Sequence, residues 1–147
     1  MFYPEQKFID TLSKGEKFIF LKVICGVIAS DRQVSKEEIV YLKELALKYE
    51  VDGESLAVMI KTANKEALIR QARLIDERHK ALMLIKDLCM VANNDTDLAD
   101  NEIEYILDVA EVMGIDPMRV KDINQAVNDY LELVFKTKKL LEIDDCM

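Results

Sequence analysis

The chain has no tryptophan, one histidine, two prolines and four glycines in 147 residues. So few backbone breakers exclude a loop-rich or low-complexity chain and favour helices. A single histidine, His79, excludes the paired Glu-x-x-His sets of di-iron bundles. No glycine-rich phosphate loop and no G-x-S-x-G turn is present, so the common catalytic motifs are missing. The three cysteines, Cys25, Cys89 and Cys146, are odd in number and lack metal-ligand spacing. Cys25 and Cys89 fall inside apolar helical runs and read as small buried side chains. The most apolar run, Phe18 to Ser30, is 13 residues long and broken by Lys22, whereas a membrane span needs about 20. The opening MFYPEQKF has no basic segment followed by an apolar core, so it does not read as a signal peptide. The expectation is a cytoplasmic chain without a membrane span.

What is present is a globular balance: half of the residues are hydrophobic and a third are charged. The length suits one domain over residues 1–147 and buries enough surface to fold without a metal or disulfide. The net charge is −8, unevenly spread. Between Asp87 and Met118 there are nine acidic residues and no lysine or arginine. That window carries −9, so the rest of the chain sums to +1. An acidic field repels phosphate backbones and attracts cations or basic partners, which excludes nucleic acid as the expected ligand.

Shifted by 64 residues, the chain matches itself. FIFLKVICGVIASDRQVSKEEIVYLKELALKYEVD (18–52) falls on LMLIKDLCMVANNDTDLADNEIEYILDVAEVMGID (82–116) with nine identities in 35 ungapped positions. Such a repeat signals one supersecondary unit used twice. Each unit reads helix, loop, helix. In the second helix of each, Ile39, Leu42, Leu45, Ala46 and Tyr49 recur on a helical period, as do Ile103, Ile106, Val109, Ala110 and Met113. Gly53, Gly114 and Pro117 punctuate the ends. Leu56, Met59 and Ile60 predict a short helix, and Ala67, Leu68, Ala72 and Ile75 another. Phe8, Ile9 and Leu12 predict a small one at the start. Val120, Ile123, Val127, Tyr130, Leu131, Val134 and Phe135 predict a C-terminal helix over 117–141. The expected fold is all-α: a compact bundle of seven or eight helices built on two pseudo-symmetric helix-loop-helix repeats.

The second loop, ANNDTDLADNE (92–102), resembles a calcium loop in its density of carboxylates. With Asn93 first, Asp95, Asp97 and Glu104 take positions three, five and twelve of an EF-hand. But Leu98 stands where the turn needs glycine, and Asp100 where an apolar residue belongs, so an EF-hand is excluded. Both loops instead share a frame of Asp, an apolar residue three later, and Glu four beyond that: Asp31, Val34, Glu38 and Asp95, Leu98, Glu102. Ser35 to Glu38 also fits a capping box. Ala99 replaces the serine in the second copy and is a poor cap, yet Glu102 is kept. That opens a second use for these carboxylates.

These residues resemble the TerB-like (tellurite-resistance TerB) domains, whose repeated signature is roughly A-x-D-G-x-(I/L)-S-x-x-E between two helices. ASDRQVSKEE matches at Ala29, Asp31, Val34, Ser35 and Glu38, and NNDTDLADNE at Asp95, Leu98 and Glu102. The signature glycine is Arg32 in one loop and Thr96 in the other. The resemblance covers about Phe18 to Asp116. It implies an all-α domain without catalysis, associated with tellurite and other stress resistance and with membrane-linked complexes. Related domains also occur fused to J-domain co-chaperones. Carried over, its paired acidic residues make Asp31, Glu38, Asp95 and Glu102 a candidate cation site, for Ca²⁺ or Mg²⁺ given hard oxygen donors and no histidine. The acidic segment offers a partner surface at Asp97, Asp100, Glu104 and Asp108, for a basic protein or a membrane-associated complex. The reading is a non-enzymatic interaction or scaffold module. The alternatives are a divalent-cation sensor and an enzyme using paired carboxylates.

Overall fold

The computed structural model describes residues 4–29, 34–93 and 100–142, without the side chains of 100 and 101. Eight helices and no strand occur among them: α1 (Gln6–Ile9), α2 (Lys14–Ala29), α3 (Lys36–Lys48), α4 (Gly53–Lys61), α5 (Lys65–Ala72), α6 (Arg78–Asn93), α7 (Asp100–Val112) and α8 (Pro117–Glu142). None is long and apolar enough to cross a membrane.

The 64-residue period recurs in the element bounds. Helices α2 and α6 are each 16 residues long, α3 and α7 each 13, and the starts of α2, α3 and α4 lie 64 residues before those of α6, α7 and α8. The turns that close α3 and α7 coincide too. Glu50 (φ 57°) and Gly114 (φ 77°) both enter the left-handed region. The next N–H bonds back to the last turn, from Val51 to the Ala46 carbonyl and from Ile115 to the Ala110 carbonyl, each at 2.9 Å. This is the bond that caps a helix through a left-handed residue. Expected as a helix terminator, Gly53 is instead the first residue of α4, behind Asp52, which caps that helix by accepting from the Ser55 N–H at 2.8 Å. Glu50 takes the strained position that glycine would fill more easily.

The core lies around α2 and α6. In α2 the residues from Phe20 to Ile28 are buried except Lys22, and in α6 those from Leu84 to Ala92 except Lys86. Helix α3 packs on α2 and α4, while α7 packs on α5, α6 and α8; α2 and α6 pack on each other. The Lys80 ammonium reaches both Glu16 carboxylate oxygens, at 2.9 and 3.0 Å, tying the first turns of α2 and α6 together. Tyr105 of α7 lies over Gly26 of α2, and its hydroxyl donates to the Val23 carbonyl at 2.9 Å. Cys25 and Cys89 are buried, and desolvation pushes both thiols up to about 12. They are packing residues, with no thiolate to react near neutral pH.

Candidate interaction and cation site

Glu38 sits in the first turn of α3, and its use there is visible. The Ser35 N–H donates to Glu38 Oε1 at 3.0 Å, and the Glu38 N–H donates to Ser35 Oγ at 3.2 Å. The capping box expected from SKEE is therefore formed, two helix-end donors being satisfied reciprocally. Burial leaves Glu38 only 7% exposed. Glu102 occupies the matching place in the first turn of α7 and is half-buried. A carboxylate in a first turn also gains from the helix dipole. Asp31, Asp95 and Asp97 lie outside the described residues, as does the Asp100 side chain. Since α3 and α7 pack on different neighbours, the grouping of all four carboxylates stays an expectation.

Of the residues expected to face a partner, two lie within the described side chains. Glu104 and Asp108 are exposed on α7, and Glu111 continues them. Spacings of four and three place the three carboxylates on one face of the helix. None of them has a lysine or arginine within ion-pair distance among the described residues. The equivalent face of α3 carries Val40, Glu44 and Leu47, all exposed, one carboxylate where α7 has three. The acidic face belongs to the second repeat alone.

Asp87 departs from the acidic field in which the sequence places it. Its side chain is fully buried in α6. Lys86 Nζ approaches Oδ1 to 3.3 Å but not in hydrogen-bonding geometry, and neither carboxylate oxygen has a hydrogen-bond partner. Burial pushes this carboxyl up to about 6, against the opposing pull of Lys86. The Tyr49 hydroxyl, also buried and without a hydrogen-bond partner, is pushed upward by desolvation and by the charge of Asp87. One sequence signal does mark Asp87: its repeat counterpart is Val23, so a carboxylate replaces an apolar residue in a buried helix.

The match to the family model for the tellurite resistance protein TerB runs over residues 17–125. The chain belongs to the TerB family. That stretch runs from the first turn of α2 through α7 and takes in both loops that share the Asp-apolar-Glu frame, so the TerB match and the internal repeat cover the same helices. It ends within α8, leaving the second half of that helix outside the TerB match. No curated protein and no solved structure shows comparable similarity.

Proposed function

We propose that this TerB-family chain works without catalysis, as a stress-related interaction module whose acidic α7 face receives a basic partner. The observation that carries the reading is the stripe of Glu104, Asp108 and Glu111, exposed on one face. Like charges at helical spacing destabilise a helix by a few tenths of a kcal/mol per pair. Folding gains nothing from them, and a cationic partner, whether a basic protein or the basic face of a membrane-associated complex, would relieve the repulsion. The test is fluorescence anisotropy with a labelled lysine-rich peptide at low salt. Binding should weaken at least tenfold in Glu104→Gln/Asp108→Asn/Glu111→Gln and fade with added salt. Equal binding by both proteins overturns the reading.

A divalent-cation role is the second reading, for Asp31, Glu38, Asp95 and Glu102. The Glu16–Lys80 pair holds the first turns of α2 and α6 together, and both loops leave the far ends of those two helices. Carboxylate oxygens suit Mg²⁺ or Ca²⁺. Calorimetric titration with each metal should give saturable heat that Asp95→Asn abolishes; no heat at millimolar metal removes this reading and leaves the partner surface standing.

A further inference from the structure

Among the described residues, the last part of α8, beyond Leu131, is the least covered stretch of the molecule's longest helix. Every residue from 132 to 142 is exposed, yet this stretch carries Leu133, Val134, Leu140 and Leu141. Beside the first half lies an open groove of about 1000 Å³ between α6 and α8, walled on the α6 side by Leu82, Met83, Lys86 and Met90. One seam joins the two. Ile123, Ala126, Tyr130, Leu133, Thr137 and Leu140 follow one another at spacings of three, four, three, four and three. That alternation is the apolar seam of a coiled coil. Its early members line the groove, while Tyr130, Leu133 and Leu140 are 55%, 63% and 69% exposed.

The groove and the exposed helix cannot satisfy each other within one copy. The groove is built partly by α8 itself, and α8 continues past it as a single helix. We propose that the occupant is a second copy of this chain, its α8 lying antiparallel to the first along the seam. The spacing is self-complementary in that direction. About a twofold axis between Leu131 and Glu132, Ile123 faces Leu140 of the other copy, Ala126 faces Thr137, and Tyr130 faces Leu133, so every seam residue meets a seam residue. Such an isologous contact closes at two copies. The area suffices. Exposed and half-buried apolar side chains along seam and groove, at roughly 100 Å² each, give about 600 Å² per copy and about 1,200 Å² in all, the lower end for a specific interface. The seam half that protrudes lies beyond the TerB match, so pairing is a property of this chain rather than of the matched helices.

Sedimentation equilibrium of the full chain between about 1 and 500 μM is the test. A dimer is expected, with its dissociation constant raised more than tenfold in Leu133→Glu/Leu140→Glu. Both positions are exposed in the single copy, and an unchanged melting curve at low concentration checks that the fold is intact. A monomer at 500 μM overturns the proposal, including the case in which this seam serves a helix of another protein. So does a dimer that the double variant leaves unchanged. Direction is read by oxidation in a Cys146→Ser background. Leu140→Cys alone should not cross-link, since antiparallel copies hold the two thiols about 25 Å apart at 1.5 Å per residue, whereas a mixture with Ile123→Cys should. Ready self-linking of Leu140→Cys overturns the antiparallel arrangement.

Discussion

The units α2–α3–α4 and α6–α7–α8 share the lengths of their first two helices, their register and the left-handed turn after the second helix, yet differ where they meet the rest of the molecule. Val23 answers to Asp87, Gly26 to Met90 and Glu50 to Gly114, and the exposed Val40, Glu44 and Leu47 of α3 answer to three carboxylates, Glu104, Asp108 and Glu111, on α7. The third helix has nine residues in one unit and 26 in the other. What repeats is therefore backbone chemistry: caps, turns and the apolar period. What has diverged is each copy's fit to its surroundings. Exchanging residues between equivalent positions separates the two kinds of feature.

The largest effect is expected at Val23 and Asp87, both fully buried. Asp87 titrates near 6 in the fold against about 4 in an unfolded chain. A raised carboxyl pKa means that the fold favours the neutral acid. The penalty is absent below pH 4, grows from pH 4 to 6 and is complete above. At 1.36 kcal/mol per pH unit this is about 2–3 kcal/mol. Asp87→Val should therefore stabilise the protein at pH 7 by about that amount and remove the fall in stability between pH 4 and 6. Urea unfolding at several pH values measures both. The reverse exchange, Val23→Asp, buries a carboxylate without any partner and should cost at least as much. If Asp87→Val destabilises at pH 7, the carboxylate is held by bonds the packing does not show.

Next comes Gly26. A Cβ there would lie 2.7 Å from Tyr105 Cζ and 2.8 Å from Leu68 Cδ1. Its counterpart, Met90, lines the groove between α6 and α8. Gly26→Ala should cost about 1–3 kcal/mol, as overpacking does. Tyr105→Phe alone should lose about 0.5–1.5 kcal/mol with the hydroxyl bond to Val23. Combined with Gly26→Ala it should cost less than the sum, because the hydroxyl is part of the clash; a fully additive pair contradicts the close approach.

The turn residues come third. Gly114→Ala should destabilise by about 1–2 kcal/mol, because a Cβ is strained at positive φ, whereas Glu50→Gly should stabilise by up to about 1 kcal/mol. The Lys17–Glu50 ion pair lost in that change is 3.2 Å long with Glu50 exposed, a kind of contact that contributes little. Thermal unfolding of both variants gives the comparison; equal and opposite signs confirm that the two turns are one device.

These positions also show what could be read in advance. The helices and their 64-residue period follow from local pattern, because apolar spacing, caps and turns act over a few residues. Glu50 as the left-handed residue was not legible, since Gly53 three residues on is the stronger local signal. The burial of Asp87 was masked by the acidic residues after it in sequence, while its surroundings, including Tyr49, come from elsewhere in the chain. The period of α8 was legible, but not which half of it would be covered. Of the candidate carboxylates, the capping role of Glu38 was readable from Ser35 three residues before. Any meeting of Glu38 with Glu102 depends on packing that local pattern does not encode.

The smallest effects bear most directly on function. In the first unit Ser35 and Glu38 cap α3 reciprocally; in the second, Ala99 cannot return the bond. Ser35→Ala should cost about 1 kcal/mol. Glu38→Gln should cost only a few tenths, because glutamine accepts the same N–H in a capping box. Glu102→Gln should be similarly mild, because glutamine is equally able to accept a backbone N–H at a helix start. If these carboxylates do nothing but support helix starts, both glutamine variants will match the wild type in melting temperature and in calcium or magnesium titration alike. If they hold a cation, the melting temperature in chelator will still match, while the rise on adding metal disappears from Glu38→Gln and Glu102→Gln but survives in Ser35→Ala. A metal-dependent shift that Ser35→Ala also removes would assign the effect to the cap rather than to the carboxylates.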